Sequence, residues 1–570
     1  MTSATARKLH PVFLIVVVAI VALPFLGSGG LLTAAILAMA LLGEPLFVLI
    51  GVATVLCLIL YAGFDDISQF SVLIERIRSL ADSPPLLAIP LFIMSGAIMS
   101  EGAISRRLVD FAKALIGWLP GGLAISAVIA CMLFAAISGS SPATVVAIGA
   151  MMGPTLIDNR YSEHFSHGLV TSAGSLGILI PPSIPMIIYP IVNQGAQMEV
   201  EQLFASGFGP GLVMGAILAG FSIFHGIKDQ TPRQPFDAGE LWRATLDGFW
   251  ALLFPILILG GIYGGIYNAI EASAISVIYA VVVEVYIHRA LTLPDVPRIF
   301  KDTGIFLGSL LVIMVAALAL AEFLEGQGIP AAAAEWLESM HLEPWQFLVV
   351  LNLMLLVVGA MMDILSAMFI FVPLLAPMAM TMGVDPMHFG IIFIVNLEIG
   401  YLTPPVGLNL FVASALFERP VGHVFRSVAP FIALMFVGLM LITYVPEISV
   451  GLGRAILGVE APAEVTMPAA AGGELGAEEP DEEEEDEGEA SLEELAAELE
   501  RIRGLDMPNM EDMQREAEIT AEIDARVEAL RGELEQIQSL DMPNMEDMQR
   551  EAEITSLIEE YGGGDEDAGL

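Results

Sequence analysis

The sequence predicts an all-α polytopic membrane protein of about 11 crossing helices plus two re-entrant helical hairpins, arranged as inverted repeats. Three observations carry this. Of the 570 residues, 56% are hydrophobic, and mean hydropathy is +0.74, so lipid rather than water solvates most of the chain. The apolar runs are long and continuous rather than alternating, which places their backbone groups in helices and not in a barrel. Two further apolar stretches are broken near mid-length by polar residues, and each precedes a span broken by Pro-Pro.

Crossing spans fall near 11–27, 28–42, 44–62, 85–100, 165–191, 204–227, 247–265, 268–288, 303–325, 387–416 and 425–447. The hairpins take 121–156 and 345–380. Residues 66–81, 104–117 and 330–340 set charges at helical spacing beside apolar residues and read as helices on the membrane surface. Residues 1–27 form an extra N-terminal transmembrane helix, in which Arg7 and Lys8 precede the apolar run as in an uncleaved signal. The first inverted repeat is 28–241 and the second is 242–458.

Basic residues divide unevenly between the two sides. One side receives Arg7, Lys8, Arg106, Arg107, Lys113, Arg160, Lys228, Arg233, Arg243, Arg289, Arg298, Lys301, Arg419 and Arg426. The other receives little beyond Arg76, Arg78 and Arg454. The asymmetry puts the N-terminus in the cytoplasm, and parity puts the C-terminal tail outside. The side of the tail hangs on counting 28–42 as a crossing.

The net charge of −43 mostly describes that tail. Residues 459–570 hold 37 acidic and 6 basic residues, a net −31. Within it, 459–490 is an acidic disordered linker, with Asp481 to Glu487 wholly acidic. Residues 491–570 form an acidic helical tail in which LDMPNMEDMQREAEIT, Leu505 to Thr520, recurs unchanged at Leu540 to Thr555. Between the copies, Ile523, Val527, Leu530, Leu534 and Ile537 make a helical apolar stripe. The tail is either a solvated appendage or a docking module.

The charge balance leaves no footprint for nucleic acid. No His-rich metal motif, nucleophile constellation or phosphate loop supports an enzyme or an ATP-driven pump. Cys57 and Cys131 lie in apolar runs and read as buried small hydrophobes.

The chemistry concentrates at the breaks. Hairpin 1 holds Ser138-Gly139-Ser140-Ser141-Pro142-Ala143-Thr144, and the span after it holds Pro181-Pro182-Ser183. Hairpin 2 holds Asp363-Ile364-Leu365-Ser366, and the span after it holds Thr403-Pro404-Pro405-Val406-Gly407-Leu408-Asn409. Paired prolines remove donors and unwind a turn, so the freed carbonyls need partners inside the membrane. A hard cation such as Na⁺ is one, with hydroxyl and amide oxygens completing its shell. Each half-helix beyond a break points free N–H groups at the cavity and favours an anion. The alternative for a lone Pro-Pro is a simple kink, and for a lone Ser-Gly-Ser close helix packing. Recurrence in the same order favours a site.

Acidic residues inside spans are functional candidates by default. Asp363, Glu398 and Glu271 stand as such, against a reading as paired or solvated groups. Glu284, beside His288 and Arg289, reads as a paired span-end residue, and His388 as a cap or interface residue.

Around Phe134 to Tyr189, the runs LFAAISGSSPATVVAIG, GPTLIDNRY and GILIPPSIPMIIY resemble the large membrane subunit of TRAP transporters. The segment Gly383 to Ala415, GVDPMHFGIIFIVNLEIGYLTPPVGLNLFVASA, resembles the same family's second half. The resemblance covers about residues 28–450. It implies an elevator-type secondary transporter of the ion-transporter superfamily kind, driven by two or more Na⁺ ions. A periplasmic substrate-binding protein and a small four-helix membrane subunit would be partners, and organic acids such as C4-dicarboxylates the cargo. It places Na⁺ at Ser138, Gly139, Ser140, Thr144 and Pro181, and at Asp363, Ser366, Thr403, Gly407 and Asn409. Substrate would lie by Ser140, Ser141, Pro182, Ser183, Ser366, Pro405 and Asn409. One stretch departs from the family pattern: Tyr267-Asn268-Ala269-Ile270-Glu271 keeps only the Glu of a Thr-Pro-Thr-Glu-like run. The alternative function is a stand-alone dicarboxylate/Na⁺ symporter that needs no binding protein.

Overall fold

The computed structural model describes residues 46–57, 85–193, 198–326 and 343–457, with isolated positions at 34–35, 38–39 and 78. The expected spans 11–27 and 28–42, surface segments 66–81 and 330–340, the linker and the tail lie wholly or largely outside the described residues. Among the described residues there is no strand.

The helices run in the expected order. They are α1 (Leu46–Cys57), α2 (Pro85–Glu101), α3 (Ile104–Ile116), α4 (Gly122–Ser138), α5 (Ser141–Asp158), α6 (Glu163–Ser175) and α7 (Ile184–Val192). Next come α8 (Val200–Lys228), α9 (Ala238–Asp247), α10 (Phe249–Tyr263), α11 (Ala269–Val281) and α12 (Asp295–Gly326). The second half closes with α13 (Pro344–Met361), α14 (Ile364–Thr381), α15 (Pro386–Gly400), α16 (Leu408–Leu416), α17 (Val421–Tyr444) and α18 (Val450–Leu457). Among the described residues, six helices are long and apolar enough to cross a membrane, or up to eight if each bent pair counts as one span.

Hairpin 1 is α4 with α5, and hairpin 2 is α13 with α14. The arms of 17 and 18 residues, and of 18 each, run about 25–27 Å at 1.5 Å per residue. They therefore reach most of the way through a hydrocarbon core of about 30 Å. α3 leaves α2 at 70° and buries Ile104, Leu108, Val109 and Ala112 against the rest of the protein. α10 is likewise preceded by α9, bent 63° from it. Asp237 starts α9 by accepting from Gly239 N at 2.7 Å, a helix the apolar pattern does not announce.

Three ion pairs bear on the side assignment. Arg298 meets Glu101 at 2.5 Å, Arg419 meets Glu163 at 2.5 Å, and Arg454 meets Asp385 at 2.9 Å. Each joins two residues that the sequence reading puts on the same side. Glu284 is buried as a paired group: it accepts from Ala103 N at 3.0 Å and lies 3.4 Å from His288. It thereby locks the knuckle between α2 and α3. Both cysteines are free and buried.

Candidate functional site

Hairpin 1 turns at Gly139 and Ser140. Gly139 ends α4 at φ 58°, and Ser140 is extended. The left-handed backbone is the reason for glycine at that position, and Pro142 sits in the first turn of α5, where no intrahelical donor is missed. The turn gathers oxygens. Ser138 Oγ lies 3.1 Å from Thr144 Oγ1, which also donates to the Ser140 carbonyl at 2.8 Å. A Cβ on Gly177 would stand 2.6 Å from that carbonyl and 2.7 Å from Thr144 Oγ1, so the chain after α6 approaches the cluster only as glycine.

The hairpin tip rests on the first break. Ile184 N donates to the Gly139 carbonyl at 3.5 Å, and a Cβ on Gly139 would be 2.8 Å from the Pro182 carbonyl oxygen. Beyond the cis Pro181-Pro182 pair, α7 starts from an extended Ser183. The Ser183 hydroxyl is buried with no hydrogen-bond partner among the described residues. Ser138, Gly139, Pro182 and Ser183 line a cavity of about 10 Å³, room for about one water-sized sphere.

Hairpin 2 is built with different chemistry. Asp363 caps α14, accepting from Ser366 N at 3.0 Å and from Ser366 Oγ at 2.5 Å, the ordinary role of an N-cap acid. Both of its oxygens are thus engaged within the tip. The second break docks on this hairpin through backbone: Val406 N donates to the Ala360 carbonyl at 2.9 Å. Ile364 N donates to Tyr401 OH at 3.0 Å. Gly359 and Gly400 meet so closely that a Cβ on Gly400 would lie 2.6 Å from the Gly359 Cα. Past the cis Pro404-Pro405 pair, Gly407 at φ 46° opens α16. The Thr403 hydroxyl turns back along its own helix, donating to the Ile399 carbonyl at 3.0 Å.

Asn409 joins the two assemblies. It is fully buried, and its Nδ2 donates to Ser141 Oγ at 2.6 Å across 268 residues of sequence. Its Oδ1 has no partner among the described residues. The structure therefore brings Ser138, Gly139, Ser140, Thr144, Pro182 and Ser183 into one cluster. Asp363 and Ser366 pair with each other on hairpin 2, against which the second break docks, and Ser141 and Asn409 bridge the halves.

The other acids separate. Glu398 is fully buried and accepts from Ser175 Oγ at 2.9 Å, so the two broken spans touch just ahead of their breaks; its Oε2 has no partner among the described residues. Glu271 is a capping residue: Asn268 N donates to Glu271 Oε2, and the Asn268 side chain accepts from Glu271 N. His388 is an interface residue, bonded to Ser449 Oγ and the Thr443 carbonyl. Sequence reading passed over one buried chain, Asn396 Nδ2 to Asn352 Oδ1 at 2.6 Å and Asn352 Nδ2 to Thr443 Oγ1 at 3.3 Å. Two asparagines within apolar runs are the signal that could have found it.

Two hairpins set against two broken helices, with uncharged oxygens gathered where the backbone is interrupted, define a polytopic membrane protein with its polar site inside the helix bundle. The sequence matches the family described as the tripartite ATP-independent periplasmic transporter, DctM component, over residues 33–448, and the chain belongs to that family. It is 41% identical over 386 residues to the C4-dicarboxylate TRAP transporter large permease protein of Pseudomonas aeruginosa, covering 66% of this chain and 90% of that protein. The protein of the same description from Vibrio cholerae is 38% identical over 447 residues, covering 75% and 97%. The solved structure of the Alcanivorax borkumensis YdaH transporter, described as having an unusual topology, matches with a TM-score of 0.52 at 15% identity, covering 72% of this chain and 97% of that one. At that identity the likeness shows the fold alone.

Proposed function

We propose that this chain is the transporting subunit of a Na⁺-coupled importer of a small organic anion, such as a C4-dicarboxylate. A periplasmic binding protein delivers the anion, and a small membrane subunit completes the complex in the inner membrane. Family membership makes the chain a transporter component.

The carrying observation is the pair of buried oxygens at the two breaks, Ser183 Oγ and Asn409 Oδ1, that no described group satisfies. Buried polar atoms are rarely left so, and a cation is the partner that oxygen-only, uncharged surroundings fit. Ser138, Ser140, Thr144 and Thr403 bring further oxygens to the same breaks. None of these residues is cationic, so nothing there would neutralise a dianion. Bound Na⁺ would supply that charge, which is otherwise costly to desolvate. The N-termini of α7 and α16 lie at the breaks, and their helix dipoles add partial positive charge there.

The test is uptake into proteoliposomes holding both membrane subunits, with the binding protein outside and loaded with candidate acids. Uptake should follow an imposed Na⁺ gradient and need the binding protein. Uptake driven by a proton gradient without Na⁺ would refute the coupling ion. Full uptake without the binding protein would favour the stand-alone symporter.

A further inference from the structure

We propose that Glu163, His167 and His423 form a binding site for a divalent transition metal, Zn²⁺ by ligand type, that links α6 of the first half to α17 of the second. Glu163 and His167 stand four residues apart in the first turns of α6, so both side chains lie on one helix face. His423 lies in the first turn of α17. Glu163 Oε1 is 4.0 Å from His167 Nδ1 and 3.8 Å from His423 Nε2. All three donor atoms lie within 4.8 Å of one another. Zinc with bonds of about 2.0–2.1 Å in a tetrahedron holds its ligand atoms roughly 3.3–3.5 Å apart. The three groups need to close by less than about 1.5 Å, a side-chain adjustment.

A second observation points into the same spot. His167 is 4% exposed, yet its Nδ1 has no hydrogen-bond partner among the described residues, and neither has His423 Nε2. Both rings are held by stacking: His167 on Phe417 at 4.0 Å and 10°, His423 on His164 at 4.3 Å and 22°. Two imidazoles and one carboxylate are the ligand types of zinc sites that keep an open fourth position. That position has room, because Glu163 and His167 border a cavity of about 420 Å³ with Phe417 and Arg419. Arg419 now holds Glu163 Oε1 at 2.5 Å. Metal binding replaces one cation on that carboxylate by another, and Arg419 competes with it.

The site stands apart from both breaks, and its test does not depend on the transport reading. The full chain, purified in detergent without a polyhistidine tag, is titrated with Co²⁺ and followed by its visible absorption. The expected result is saturation at one ion per chain with the intense band of a tetrahedral site, abolished by added Zn²⁺. The band should be lost in His423→Asn, a partly exposed position that should fold, and in His167→Asn. Arg419→Gln should tighten binding by freeing the carboxylate. Absence of saturable binding to wild type overturns the proposal, as does an unchanged titration in folded His423→Asn.

Discussion

Gly400→Ala tests whether hairpin 2 and the second break must touch through bare backbone. The new Cβ would lie 2.6 Å from the Gly359 Cα and 2.7 Å from its carbonyl oxygen. Ordinary contact begins near 3.4 Å, so α13 and α15 must separate by nearly 1 Å. Neither neighbouring atom can rotate away, since both belong to backbone. A shift of about 1 Å would stretch the 2.9 Å bond from Val406 N to the Ala360 carbonyl beyond hydrogen-bonding range. Overpacking costs about 1–3 kcal/mol, and the lost bond adds about 1 kcal/mol. If about 2 kcal/mol of this falls on the Na⁺-bound state, half-maximal uptake needs roughly 30-fold more Na⁺. Thermal unfolding of the purified protein and the Na⁺ dependence of uptake read the two effects separately. Gly308→Ala, inside α12 where a Cβ meets nothing within 4 Å, is the control: it should leave the Na⁺ dependence unchanged and, if anything, raise the unfolding temperature slightly. A Gly400→Ala protein with wild-type unfolding temperature and Na⁺ dependence would refute the docking argument.

Four further expectations follow from the same geometry. Ser183→Ala removes a buried hydroxyl that has no protein partner, so unfolding should be unchanged or slightly delayed while the Na⁺ requirement rises; lowered stability with normal Na⁺ dependence contradicts a ligand role. Ser141→Ala and Asn409→Ala should each destabilise by about 1–3 kcal/mol, and the double variant by less than the sum, as a thermodynamic cycle on unfolding would reveal. Gly102→Ala would put a methyl group into the Glu284 carboxyl; it should lower the unfolding temperature, and adding Glu284→Ala should restore part of the loss. A chain ending at residue 458 retains the family-matched region 33–448 and every residue of the breaks, so Na⁺-dependent uptake should survive; its loss would make the acidic tail a working part.

The interruptions were readable in the sequence because each is local. The hairpin ranges 121–156 and 345–380 match Gly122–Asp158 and Pro344–Thr381 within two residues. A polar turn inside an apolar run and a Pro-Pro pair inside a span are both written in consecutive letters. The bonds that assemble the site are not. Asn409 to Ser141 and Glu398 to Ser175 join residues 268 and 223 positions apart, and no periodicity encodes such a meeting. Glu271 shows the opposite case. Its capping partner Asn268 stands three residues before it, so a capping-box pattern legible in consecutive residues accounts for this acid. Asp363 likewise serves its own helix start, and its candidacy as an ion ligand has to contend with the two bonds it already accepts.

The hydrogen bond from Asn409 to Ser141 has a consequence for how the halves respond to occupancy. Through this bond an occupant that shifts hairpin 1 should bear on the start of α16, and an occupant of the second break on hairpin 1. Such coupling is reciprocal: whichever occupant arrives first alters the affinity for the next by the same factor. If Na⁺ occupies both breaks, as proposed, the ions should bind in concert, and uptake should rise with Na⁺ concentration as a sigmoid with a Hill coefficient above unity. Removing the hydrogen bond between Ser141 and Asn409 should flatten that curve toward a hyperbola.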